Sequence, residues 1–173
     1  MLKYYDVIVI GAGAAGMMSA IEAGKRGRKV LLVDHYKKIG EKIRISGGGR
    51  CNFTNIHTNP NKFLSQNPKF VRSALSQYTQ NDFINLINKY EIKFHEKKLG
   101  QLFCDHSAQQ IVEMLLKECE LANVTIIKEF IIKNVTKEND QYLVSTETDK
   151  YSSQSLIVAT GGLSVPKIGA TSF

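Results

Sequence analysis

Tyr4-Tyr5-Asp6-Val7-Ile8-Val9-Ile10, followed by Gly11-Ala12-Gly13-Ala14-Ala15-Gly16, is the stretch whose reading decides the fold. The first seven residues form a nearly continuous apolar run, the pattern of a strand buried on both faces of a parallel sheet. Glycines end that run, and Ala14 to Lys25 then carries Ala, Met and Ile at helical spacing, with a stop at Gly27. The glycines fit GxGxxG in the setting that gives this pattern its meaning, with a strand before it and a helix opening inside it. Gly11 permits the tight turn, Gly13 lets the backbone approach a diphosphate, and Gly16 lets the helix close on the strand. The helix start adds unpaired N–H groups and partial positive charge. Lys29 to Val33 is a second buried strand, and Asp34 closes it 18 residues beyond Gly16, where a carboxylate can accept hydrogen bonds from a ribose. The stretch predicts a domain for an ADP-containing dinucleotide and leaves NAD and FAD as alternatives.

Working outward, residues 35 to 66 show no sustained period and hold Ser46-Gly47-Gly48-Gly49-Arg50, which predicts a long functional loop with a helical turn near Lys42. Pro68 opens a helix to about Tyr78, and Thr79 with Asp82 opens another to Tyr90. Lys93 to Glu96 and Gln101 to Cys104 read as short strands around Gly100. Ser107 with Gln110 reads as a capping box for a helix from Ala108 to Leu121, whose Ile111, Met114, Leu115 and Leu121 face the core. Val124 to Lys128 is a third sheet strand. Phe130 to Val135, Tyr142 to Thr146 and Tyr151 to Ser153 form a β-meander, with turns at Glu138-Asn139-Asp140 and Thr148-Asp149. Leu156 to Thr160 is a further short buried strand that runs into Gly161-Gly162.

The 173 residues suffice for one domain with its own core. A hydrophobic fraction of 43% and only three prolines argue against disorder. No apolar run approaches the roughly 20 residues of a membrane span, and the expected location is cytoplasmic. Cys51, Cys104 and Cys119 form no CxxC pair and are expected as reduced thiols, Cys104 and Cys119 in the core. His35, His57, His95 and His106 lack a second ligand at metal spacing, so no metal site is expected. The net charge of +7 is spread along the chain and is read as solvated surface rather than a nucleic-acid face.

Two features favour FAD over NAD. A β-meander before a strand ending in Ala159-Thr160-Gly161-Gly162 resembles the glutathione-reductase-type FAD fold, a Rossmann-like α/β architecture with a central parallel sheet. More narrowly, Lys42-Ile43-Arg44-Ile45-Ser46-Gly47-Gly48-Gly49-Arg50-Cys51-Asn52-Phe53-Thr54-Asn55 is similar to the signature of bacterial BaiN/YhiN-type flavoproteins, also labelled aminoacetone-oxidase-type enzymes. Gly100-Gln101-Leu102-Phe103-Cys104 and Ala159 to Pro166, before Gly169-Ala170-Thr171, resemble later blocks of that family. Phe103-Cys104-Asp105 departs from a Phe-Pro common among relatives. The resemblance implies an FAD-dependent oxidoreductase acting by hydride transfer at flavin N5 on a small substrate, with NAD(P)H as a candidate reductant. It also implies that residues 1–173 form the FAD-binding domain at the N-terminal side of a longer protein. A substrate-side domain and a late Gly-Asp motif would follow, and the isolated piece would hold FAD poorly.

The candidate cofactor-binding residues are Gly11, Gly13, Ala14, Ala15, Gly16, Asp34, His35, Lys42, Ser46, Gly47, Gly48, Gly49, Arg50, Cys51, Asn52, Ile132, Ala159, Thr160, Gly161 and Gly162. In the resembled fold the Ser46 to Asn55 loop would follow the diphosphate towards the flavin ring, its backbone N–H groups acting as anion donors. Arg50 would balance phosphate charge or pair with a carboxylate, and Ile132 would present backbone to the adenine. Cys51 lacks a partner two to five residues away, which argues against redox catalysis. Asp105-His106 resembles half a catalytic pair, although chain neighbours seldom point together. An alternative function is RNA binding, as in flavin-dependent tRNA-modifying enzymes that share this architecture, and a third is a cofactor-binding piece without activity.

Overall fold

The apolar run becomes β1 (Leu2–Ile10), which lies between β2 (Val30–Val33) and β9 (Lys150–Val158) and is parallel to both. A computed structural model describes residues 2–162. The chain forms two units, one of Met1–Ile43 with Val112–Phe173 and one of Arg44–Ile111. It passes from the first to the second within α2 (Glu41–Ile45) and returns within α5 (Gln109–Leu121).

The first unit is a Rossmann-like α/β fold around a six-stranded sheet. Its order is β6-β2-β1-β9-β8-β7, with β6 at Thr125–Ile127, β7 at Asn134–Glu138 and β8 at Gln141–Ser145. All four residues of β2 are buried, as a central parallel strand with both faces covered requires. Ile8, Leu31, Val33, Phe130, Val144 and Tyr151 form one buried cluster. Each such side chain contributes about 1.5–3 kcal/mol on leaving water. Helix α1 (Ala14–Lys25) packs on β1 and β2 and buries Met17, Ala20 and Ile21. It stops where Gly27 takes φ 73°, the left-handed conformation that glycine adopts without cost. The later part of α5 approaches α1 closely: Cys119 Sγ lies 3.9 Å from Met17 O, and buried Glu118 pairs with Lys25 at 2.9 Å.

The second unit holds the antiparallel sheet β3-β5-β4, with β3 at Asn52–Asn55, β4 at Phe94–Glu96 and β5 at Gln101–Cys104. It also holds α3 (Arg72–Gln77) and α4 (Gln80–Lys89). Phe53 meets Phe94 edge-on at 5.4 Å and Phe83 at 6.1 Å, beside fully buried Ile87. The Thr79 cap forms as the spacing predicts: Asp82 N donates to Thr79 Oγ1 at 3.3 Å, and Thr79 N to Asp82 Oδ2 at 2.7 Å.

Several sequence expectations are corrected. In the loop from 35 to 66 the helical turn expected near Lys42 is present as α2, but the loop also contains β3, which owes its pairing to β5, almost fifty residues away, and which no local pattern reveals. The helix expected from Pro68 begins only at Arg72. Ser107 Oγ accepts from Gln109 N at 3.1 Å, whereas Gln110 Oε1 is buried without a partner among the described residues, so the expected reciprocal box is not made. Leu121 is exposed rather than in the core. Phe130 to Lys133 is irregular and the first meander strand starts at Asn134. The segments expected at 151–153 and 156–160 join in one continuous strand, β9, which ends at Val158, pairs with β8 through its first half and with β1 along its length. The Asn139-Asp140 turn is as expected, with φ 47° and 59°, the two-residue hairpin geometry. The family-like blocks at Leu163-Ser164-Val165-Pro166 and Gly169-Ala170-Thr171 lie outside the described residues.

Candidate functional site

Strand register builds the site. Ile10 lies opposite both Val33 and Val158, so the residues that follow three parallel strands emerge side by side: Gly11, Asp34 and Ala159. This carboxyl edge is also where the sheet order reverses about β1, the crevice that open α/β sheets use for ligands.

The three glycines of the turn have different reasons to be glycine. Gly11 has φ 101°, and a Cβ there would lie 2.5 Å from Ala159 O. A Cβ on Gly16 would lie 1.8 Å from Gly11 O, so helix and strand can meet only without it. Gly13 takes φ −82°, which any residue adopts, and a Cβ there would meet nothing within 4 Å. The fold does not require glycine at 13; a ligand approaching the backbone would. Gly13 is also the N-cap of α1, with no side-chain cap and no acidic residue in the first helical turn, so the N–H end of the helix keeps its positive field. Ala14 and Ala15 are exposed at this end.

Asp34 holds the turn in place. Its Oδ2 accepts from Ala12 N at 2.7 Å and its Oδ1 from Tyr36 N at 2.9 Å, while its own backbone bonds Ile127 O and Phe130 N. Part of the carboxylate foreseen for a ribose is thus committed to the protein, though a carboxylate accepts about four bonds in all. His35 Nδ1 lies 3.6 Å from Asp34 Oδ1, and its ring packs on Tyr36. Lys42 Nζ donates to the Gly162 carbonyl, closing the Ala159-Thr160-Gly161-Gly162 turn against α2. Ile132 is half-buried against the cluster under Phe130. Sequence reasoning missed Gly40, whose N donates to Ala12 O at 3.1 Å and whose φ of 75° braces the same turn. A lone glycine outside any motif gave no signal.

In the second unit, Ser46 to Asn52 is a left-handed turn. Gly47 (φ 58°) and Gly48 (φ 68°) lead to Gly49 (φ 84°), and Cys51 takes φ 51°. Gly47 also packs where a Cβ would strike the Phe103 ring at 2.6 Å, whereas Gly48 is open. The turn is closed by Cys51 N donating to Ser46 O at 3.0 Å and Ala108 N to Gly49 O at 2.7 Å. Arg50 Nη1 donates to the Asp105 carbonyl at 2.6 Å rather than to a carboxylate. Asn52 is exposed, its amide oriented to donate to Leu102 O and Thr54 O. Strand pairing brings Cys104 beside Cys51, since Asn52 lies opposite Phe103 and Cys104 N bonds Arg50 O. Burial pushes the Cys51 thiol up and Cys104 up to about 11, with the charge of Cys51 adding to the latter, so both are thiols at neutral pH. Asp105 pairs with His95 at 2.6 Å, not with its neighbour His106. Among the described residues no group of His, Cys, Asp and Glu could hold a metal ion, and no helix is long and apolar enough to cross a membrane.

A parallel sheet that reverses at β1, a glycine turn opening α1 and a carboxylate closing β2 define a Rossmann-type dinucleotide-binding domain. Residues 5–173 match the HI0933-like protein Rossmann domain, and the chain belongs to that family. It is 52% identical over 99% of its length to ribosomal RNA dihydrouridine synthase of Escherichia coli (strain K12), of which it covers 43%. It is 48% identical over its whole length to the protein of that name from Haemophilus influenzae, of which it covers 44%. The chain thus spans less than half the length of these relatives. Among solved structures, 3-ketosteroid-delta4-(5alpha)-dehydrogenase from Rhodococcus jostii shares the fold with a TM-score of 0.65 at 12% identity, over 92% of this chain and 46% of that one.

Proposed function

We propose that this chain is the FAD-binding part of a flavoprotein oxidoreductase that reduces uridine in ribosomal RNA. The observation that carries the cofactor is Gly13, a glycine that neither backbone conformation nor packing demands, at the uncapped start of α1. The β-meander after β6 and the Ala159-Thr160-Gly161-Gly162 turn against Gly11 favour FAD over NAD. The two relatives of about half identity support the substrate, in keeping with the RNA alternative rather than with a small-molecule substrate.

Gly11, Gly13, Ala14, Ala15 and Gly16 would hold the diphosphate through backbone N–H groups and the α1 field. Asp34, with His35 beside it, would take the ribose with its remaining acceptor capacity, and Ile132 would offer backbone to the adenine. Lys42 and Ala159 to Gly162 would line the path towards the ring. Ser46, Gly47, Gly48, Gly49, Arg50, Cys51 and Asn52 are proposed as further contacts, the open Gly48 as backbone donor and Arg50 as countercharge. FAD, when bound, supplies a hydride from N5 of its reduced form, and saturating the uracil C5=C6 bond needs one proton besides. NAD(P)H is the proposed source of the electrons.

The test is titration of the chain and of Gly13→Val with FAD and with NAD. FAD should bind in preference to NAD, and the variant should bind it at least about tenfold more weakly with unchanged circular dichroism. Equal affinity of wild type and variant for FAD would overturn the assignment. Dihydrouridine formation on ribosomal RNA, read by mass spectrometry with NAD(P)H as donor, tests the substrate separately.

A further inference from the structure

The positive charge of the molecule is unevenly divided. Residues 44–111 carry nine Lys and Arg against four Asp and Glu, while the rest of the chain carries fourteen against twelve. An acid-free run covers the start of this region: residues 42–81, forty in all, hold Lys42, Arg44, Arg50, Lys62, Lys69 and Arg72 and neither Asp nor Glu. The cofactor reading uses Lys42 and Arg50 but leaves the last three without a role.

Those three sit in the most exposed part of the second unit. Every residue from 61 to 70 is exposed, and no residue of α3 is buried. Solvated loops are usually polar, yet this one presents Phe63 (42% exposed), Leu64 (96%) and Phe70 (78%). The segment is nonetheless built. Asn59 Oδ1 accepts from Asn61 N at 3.0 Å and Asn67 Oδ1 from Lys69 N at 3.2 Å, Ser65 Oγ donates to Asn67 O at 2.8 Å, and Phe70 N to Asn67 O at 3.1 Å. Among the described residues no carboxylate pairs with Lys62, Lys69 or Arg72. Cations therefore alternate with unburied rings in a fixed backbone: Lys62-Phe63, then Lys69-Phe70 and Arg72.

Fixed cations track a phosphodiester backbone, and open ring faces stack on bases that are not already stacked in a duplex. A protein partner would account for the rings but not for forty residues without a carboxylate. We propose that residues 61–72 form a docking face for single-stranded RNA, with Phe63 and Phe70 as stacking platforms and Lys62, Lys69 and Arg72 as phosphate contacts. This rests on the ribosomal RNA reading above and assigns where the substrate strand is held.

The experiment is fluorescence anisotropy of a labelled single-stranded oligouridine with the chain, over a salt series, alongside light scattering. Phe70→Ala should weaken binding by roughly five- to a hundredfold, the loss expected for one stacked base. The triple change Lys62→Gln, Lys69→Gln, Arg72→Gln should flatten the slope of log affinity against log salt by about 2. Lys150→Gln, on the other unit, should change neither. If wild type binds and these variants bind as well, the face is wrong while the RNA reading stands. If wild type binds no RNA, both are overturned, and FAD titration still decides the flavoprotein reading independently. A wild-type dimer that Phe70→Ala converts to monomer would mark the face as a protein interface and overturn the proposal.

Discussion

The two glycine-rich turns solve different problems with the same residue. At Gly16 the reason is steric alone, and at Gly11 it is steric together with a φ of 101°: backbone atoms of the fold occupy the place of a side chain at both. At Gly48 and Gly49 it is conformational, part of a run of positive φ that L-residues enter at a cost of about 1–2 kcal/mol each, and Gly47 adds to that φ a Cβ clash with the Phe103 ring. Gly13 has neither reason, and so it is the position at which an external group explains the residue best. Glycine in a motif is therefore not one observation; it separates into packing, backbone and approach only when the neighbours are known.

That separation can be broken by substitution. Gly16→Ala should have the largest effect, because its methyl would fall 1.8 Å from Gly11 O and neither main chain can yield. A loss of about 3 kcal/mol or more is expected, read as loss of the cooperative transition in urea denaturation. Asp34→Ala comes next, at about 2–3 kcal/mol, since it orphans the Ala12 and Tyr36 N–H groups. Gly48→Ala should cost about 1 kcal/mol and Gly48→Asn less, because Asn tolerates the left-handed region; equal losses would show that Gly48 is packed rather than twisted.

The Thr79–Asp82 box offers a smaller, pH-dependent effect. The Thr79 hydrogen bonds hold the Asp82 carboxyl below its ordinary range, so its contribution is complete above the unfolded value and disappears as pH falls through the folded one. Asp82→Asn should lower stability at neutral pH, leave stability below the folded value nearly unchanged, and so flatten that part of the acid limb of a stability–pH curve. Gly13→Ala should be smallest in stability, within about 0.5 kcal/mol, because a weaker N-cap offsets the reduced freedom of the unfolded chain. FAD affinity should fall all the same. A large stability loss at Gly13 would remove the contrast on which the cofactor assignment stands.

Much of the first unit was legible because its signals are local. The apolar run of β1, the glycine spacing, the Gly27 stop and the Asn139-Asp140 turn each depend on neighbours a few residues away. Asp34 was legible in position but not in full role, because its bond to Ala12 N crosses 22 residues and follows from the β1–β2 register. The second unit was read less well. Its strand β3 pairs with β5 and its Asp105 with His95, partners that no period or motif announces. The cysteines show the same limit: Cys51 looked alone because its neighbour Cys104 arrives through strand pairing.

The sequence by itself determined the Rossmann-like class, the dinucleotide turn and the meander, since hydrophobic period, glycine spacing and turn chemistry act over a single turn or strand. Only the tertiary structure decided which glycine is open, that the strand after the meander is continuous with it, and that the cations of residues 61–72 stand beside exposed rings with no carboxylate partner among the described residues. Those facts depend on what the rest of the chain brings to each position, and a linear pattern does not carry that information.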